Sequence, residues 1–251
     1  HMSFRYDGAD RDTLHDISLT IKPGEKVAFV GENGAGKTTL VKLLMHLYDV
    51  TDGSICYGGH DIREYGTGEY RERIGAVFQD YQIYGATLAE NVLMDEVEVG
   101  DRERILEALK QADFEKRLSR LPDGPDTNMT REFREDGTML SGGEAQKVAI
   151  ARMFVRTGKQ FLAILDEPSS ALDPLAEYQL NTNMMKNAGD AAVIFISHRL
   201  STTRDADRIY MFENGRIIEQ GSHQELMRLG GKYAAMFEKQ AYYYQDEIAA
   251  C

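Results

Sequence analysis

The stretch Gly31-Glu32-Asn33-Gly34-Ala35-Gly36-Lys37-Thr38-Thr39 has the residue types and spacing of a phosphate-binding loop, G-x-x-x-x-G-K-[ST]. An apolar run at 27–30 precedes it, and residues 40–44 follow with the apolar spacing of a helix. That strand–loop–helix setting is the context the motif requires. Glycines let the backbone curl so that successive N–H groups point inward at phosphate oxygens. Lys37 adds a point charge near the β- and γ-phosphates, and the Thr38 hydroxyl suits Mg²⁺. A glycine-rich turn before an ordinary helix is the bland alternative, and residue types and context both argue against it. The expectation is a site for a nucleoside triphosphate.

Other reactive residues lie at the ends of apolar runs. Residues 161–165 read as a buried strand ending in Asp166-Glu167, with Pro168 preventing its continuation. In a phosphate-loop core an acid in the Asp166 position holds Mg²⁺, and Glu167, projecting the other way, can take a proton from an attacking water. Paired acids at a strand end are otherwise often a solvated turn. Gln79 closes the run 74–78, where it either faces ligand or metal or simply ends a strand. His198 follows the apolar run 191–196. A lone histidine is usually structural, but this placement would let it sense a γ-phosphate or orient water.

Leu140-Ser141-Gly142-Gly143-Glu144 opens a predicted helix over 145–155. The S-x-x-E spacing is a capping box, which explains Ser141 and Glu144 without any function. It leaves Gly142 and Gly143 unexplained, since each costs about 1 kcal/mol relative to alanine in a helix. Bare N–H groups at a positive helix end suit close approach of an anion, so a second anion site is the slightly better reading. Tyr6, in an alternating segment near the loop, either stacks on a base or is a half-exposed strand tyrosine; spacing leaves both open.

The elements that position these residues alternate between strand and helix patterns. Residues 3–6 and 14–21 read as short strands, and Lys22-Pro23-Gly24-Glu25 turns the chain into the phosphate-loop strand. Turns at Asp52-Gly53-Ser54 and Gly58-Gly59 flank a short strand at 55–57. Between 87 and 121 the texture becomes helical with charged outer faces, and the acidic stretch 95–101 joins two helices. Asn214-Gly215 between 208–212 and 216–219 signals a hairpin, and the tail from Gln224 reads as helical. The Tyr242-Tyr243-Tyr244 run fits a packing face or an aromatic end to the chain better than a binding box. His1-Met2 looks like a cloning scar and is set aside. The predicted class is α/β, with a mainly parallel sheet, a small antiparallel β layer and an inserted helical subdomain.

Composition narrows the function. The formal net charge of −12 repels phosphate backbones, so extended nucleic-acid binding is disfavoured. Cys56 and Cys251 are far apart and have no zinc-like spacing, which fits a reducing compartment. No apolar run approaches the roughly 20 residues that cross a bilayer.

In this order the parts resemble the ATP-binding cassette, the nucleotide-binding domain of ABC transporters, from Ser3 to about Leu229. Leu140-Ser141-Gly142-Gly143-Glu144 resembles the family's signature motif, which phosphate-loop enzymes in general lack. The resemblance implies a RecA-like core at 3–79 and 159–229, a helical subdomain at 80–158 and a helical tail at 230–251. It implies ATP and Mg²⁺ as ligands. Residues 33–39 would bind nucleotide, Tyr6 would stack on adenine, and Thr38, Gln79 and Asp166 would serve the metal. Glu167 would be the general base and His198 the switch histidine. Ser141, Gly142, Gly143 and Asp173 would act across a head-to-tail pair of cassettes, as a homodimer or a heterodimer.

The segments 84–92 and 196–221 are similar to the exporter branch in particular. There a transmembrane domain is usually fused upstream, which places the cassette on the cytoplasmic face of the cell membrane, the chain alone being soluble. Peptide or other amphipathic cargo is the expectation that goes with that branch. Two rivals differ in class. One is a soluble cassette ATPase acting on nucleic acid or ribosomes, disfavoured by acidity, by a single cassette and by the absence of a coiled-coil insertion. The other is a non-catalytic nucleotide sensor, which should lack Glu167 or His198. Two departures stand out. Glu144 replaces a common glutamine, placing a carboxylate near the expected γ-phosphate, and Arg134 replaces an expected glycine before the signature.

Overall fold

The computed structural model describes residues 1–78, 80–156, 158, 160–166, 189–196 and 200–249. They form two compact units, one from His1–Ile74 and Ala192–Cys251, the other from Gly75–Ala191. In sequence the second unit is an insertion into the first.

The first unit begins with β1 (Met2–Phe4), antiparallel to β2 (Leu14–Ile17), with Met2 opposite Ile17. Met2 is buried in this pair, so it belongs to the fold whatever the origin of the two leading residues. The apolar run before the phosphate loop becomes β3 (Lys26–Gly31), buried from Val27 onward. It lies between β8 (Ala192–Ile196) and β9 (Arg208–Glu213), parallel to both. Burial on both faces accounts for the continuous apolar character of these strands. The predicted hairpin closes with β10 (Arg216–Gly221), antiparallel to β9. Asn214 and Gly215 both have positive φ, 48° and 73°, as a tight two-residue hairpin turn demands.

Helix α1 (Lys37–Leu44) buries Leu40, Val41 and Leu43. Next come a small hairpin, β4 (Cys56–Tyr57) with β5 (His60–Asp61), and α2 (Thr67–Glu72). Helix α2 had no clear pattern in the sequence because Gly68 weakens it. Its anchor is Tyr70, buried beside Tyr57 and Tyr65, whose hydroxyl donates to the Leu44 carbonyl at 2.8 Å. The tail is helical as expected, with α7 (His223–Leu229) stopped by left-handed Gly230 and followed by α8 (Lys232–Ala249). Leu226 and Tyr233 pack with Ala28, Val30, Ile209 and Met211, while Tyr242 is exposed.

The second unit contains the neighbouring strands β6 (Ile74–Val77) and β7 (Leu162–Asp166). Its helices are α3 (Leu88–Leu93), α4 (Arg102–Gln111), α5 (Glu115–Leu118) and α6 (Gly142–Phe154). Thr87 and Glu90 form a capping box on α3.

Asn91, only 1% exposed, organises the chain around that helix. Its Oδ1 accepts from Tyr84 N at 2.8 Å, and its Nδ2 donates to the carbonyls of Tyr84 and Thr87 at 2.9 and 3.0 Å. Arg152 of α6 donates to the Asn91 carbonyl at 2.8 Å. Burial lowers the pKa of Arg152, so its carbonyl partners matter to it. Asn91→Ala orphans the Tyr84 N–H and removes one of two donors from each of the Tyr84 and Thr87 carbonyls, and should cost about 1–3 kcal/mol in urea unfolding. A loss below about 0.5 kcal/mol would contradict the hub.

Candidate nucleotide-binding site

The phosphate loop leaves β3 at Gly31 and re-enters regular structure at α1, whose N-cap is Gly36 with φ 102°. Gly36 has no side chain to cap α1, and a glycine N-cap at a positive helix end suits close approach of an anion. Lys37 is 5% exposed and curls back over the loop. Its Nζ donates to the carbonyls of Gly31 at 2.8 Å and Glu32 at 3.0 Å. Two backbone oxygens of the loop thus hold the ammonium at its mouth. Around Gly34 the space is open, and a Cβ there would meet nothing within 4 Å.

Two glycines are imposed by packing as well as by conformation. A Cβ on Gly31 would stand 2.3 Å from the Phe212 carbonyl oxygen, and one on Gly36 would stand 2.5 Å from Leu14 Cδ2. A third, Gly215, was legible in the sequence only as a hairpin turn. Its N–H donates to the Ala35 carbonyl at 3.2 Å, and its own carbonyl accepts from His15 N at 2.8 Å. The β9–β10 turn thus clamps the phosphate loop to β2.

Tyr6 stands beside the same loop. Its hydroxyl lies 3.2 Å from Thr39 Oγ1, and its ring meets Phe4 and Tyr48 edge-on at 4.8 and 5.3 Å. Half-buried and held by two rings, Tyr6 stands beside residues 33–39 through its contact with Thr39.

In the second unit, α6 begins at Gly142 with Ser141 as its N-cap. The predicted capping box is present. Ser141 Oγ accepts from Glu144 N at 3.3 Å, and Glu144 Oε2 accepts from Ser141 N at 2.9 Å. The Tyr81 hydroxyl donates to the Gly142 carbonyl at 2.9 Å, tying the turn to the segment two residues beyond Gln79. Asp166 ends β7 with 6% exposure, as the strand pattern foretold. Hard oxygen donors such as the Asp166 carboxylate and the Thr38 hydroxyl suit Mg²⁺. Gln79, Glu167, Asp173 and His198 lie outside the described residues.

Residues 14–170 match the family described as ABC transporter. A multidrug export ATP-binding/permease protein of Staphylococcus aureus (strain NCTC 8325 / PS 47) is 40% identical over 240 residues, covering 96% of this chain and 40% of that protein. The protein of the same description from strain bovine RF122 / ET3-1 is 39% identical over 240 residues, with the same coverage. Among solved structures, a bacterial Atm1-family ABC exporter with ATP bound is similar with a TM-score of 0.85 and 38% identity, covering 96% of this chain and 41% of that one. The chain belongs to the ABC transporter family, and that membership carries ATP binding with it. It spans about 40% of the length of the curated relatives it matches.

Gly215→Ala should strain a left-handed position and drive a methyl into the Thr13 carbonyl, 2.3 Å away. We expect a stability loss of about 2–4 kcal/mol and weakened ATP affinity, although this residue is outside the loop motif. Unchanged melting and unchanged calorimetric affinity would contradict the clamp.

Proposed function

We propose that this chain is the Mg²⁺-dependent ATPase motor of an exporter, working as a head-to-tail pair of cassettes coupled to a transmembrane domain. The observation that carries the reading is the phosphate loop itself: a helix start with a glycine N-cap, Lys37 held over it, and Tyr6 alongside. Similarity to ATP-binding/permease proteins over nearly the whole chain supports the exporter branch over a soluble cassette acting on nucleic acid or ribosomes.

In this reading the N–H groups of residues 33–39 and Lys37 hold the triphosphate, and Tyr6 stacks on adenine. Thr38, Gln79 and Asp166 hold Mg²⁺, which neutralises charge on the β- and γ-phosphates when bound. Glu167 takes the proton of the attacking water, and His198 reads the γ-phosphate. Ser141, Gly142 and Gly143 of the opposite cassette close over that phosphate, with Asp173 in the crossing loop. The domain limits that go with these roles are a core at 3–79 and 159–229, a helical subdomain at 80–158 and a tail at 230–251. The transmembrane partner places the motor on the cytoplasmic face of a membrane, where peptide or other amphipathic cargo is the expected load.

Magnitudes make closure transient. Two or three charge-assisted hydrogen bonds per site contribute on the order of 10 kcal/mol over two sites. Lost freedom and side-chain ordering offset about 4–15 kcal/mol of that. The pair therefore closes only while the γ-phosphate is present, and hydrolysis releases it.

Lys37→Ala should weaken ATP binding about 10–100-fold in calorimetry, the loss of one charge-assisted contact. Unchanged affinity contradicts the assignment. Glu167→Gln should bind ATP, turn it over very slowly and sediment as a dimer with Mg²⁺–ATP. A monomer at saturating nucleotide would overturn the paired mechanism.

A further inference from the structure

Glu144 places a carboxylate in the first turn of α6, where an approaching phosphate would meet like charge. A glutamine would complete the same capping box without that charge. The structure supplies a compensating group. Glu144 Oε1 lies 3.1 Å from Arg117 Nε, while Oε2 is taken by the Ser141 N–H. Arg117 Nε is shielded from solvent and lacks hydrogen-bond alignment, so the contact is one of charge. The nearest cation along α6, Lys147, is paired instead with Asp113 at 2.5 Å. Arg117 sits in α5, a different element, so no local helix pattern dictates the pairing.

We propose that Arg117 is a positioning residue for the signature turn. By neutralising Glu144 it keeps the N-terminus of α6 receptive to the γ-phosphate held by a second copy of this chain. The inference rests on the motor reading above and adds to it a residue outside every family motif. As a stability element the pair contributes little, because both side chains are about 30% exposed. Its effect falls on the anion, through the net charge of the turn.

The test follows Mg²⁺–ATP-driven dimerisation by sedimentation in a Glu167→Gln background. Arg117→Ala should raise the dimer Kd about fivefold or more at low salt, equivalent to about 1 kcal/mol. At high salt the effect should shrink. Adding Glu144→Gln to Arg117→Ala should restore dimerisation, and Arg117→Lys should preserve most of it. ATP affinity of the single subunit and the melting temperature should stay at parent values throughout, which a merely structural arginine would not predict. Dimerisation unaffected by Arg117→Ala, or a loss that Glu144→Gln does not rescue, overturns the role. A Glu167→Gln parent that remains monomeric at saturating Mg²⁺–ATP overturns the motor reading and the Arg117 role with it.

Discussion

An anion held by backbone N–H groups needs a chain that turns them outward and keeps them there with no ligand to help. In the first unit that constraint falls on a few atoms. Gly36 starts α1 in a conformation that side chains resist, and Leu14 fills the volume where a Cβ would go. Gly31 runs against the Phe212 carbonyl, and Gly215 donates to the Ala35 carbonyl from the far end of the chain. The loop is pre-shaped, so binding need not order it. Lys37 is likewise placed beforehand by two carbonyls of the loop it serves.

The two glycine-bearing helix starts are built differently. At α1 the N-cap is Gly36, with no side chain to compete for the helix start, which suits a tightly held phosphate. At α6 the capping box takes up the N–H groups of Ser141 and Glu144, and a charge contact from Arg117 balances the carboxylate. In the proposed motor this turn would meet a phosphate only when the opposite subunit brings one.

Much of this was legible in the sequence because the signals are local. The phosphate loop, the Ser141–Glu144 box, the Asn214-Gly215 turn and the apolar strand before Asp166 all span a few residues with a direct physical reading. The mainly parallel α/β architecture followed from fully apolar strands alternating with helical patterns. What stayed hidden depends on partners distant in sequence. Gly215 meeting Ala35, Tyr81 meeting Gly142 and Arg117 meeting Glu144 have no spacing to read. Helix α2 escaped because its stability comes from burying Tyr70 rather than from propensity. Tyr6 was balanced between two roles by spacing alone, and its contact with Thr39 places it beside the phosphate loop.

The pre-shaped loop is most directly tested by amide chemical-shift mapping during titration with Mg²⁺–ATP and, separately, with inorganic tripolyphosphate. Both ligands should move the backbone N–H resonances of Gly34 through Thr39, and only ATP should also perturb Tyr6. If those loop amides stay in place while nucleotide binds, the phosphates are held elsewhere and the backbone cradle is not the binding site.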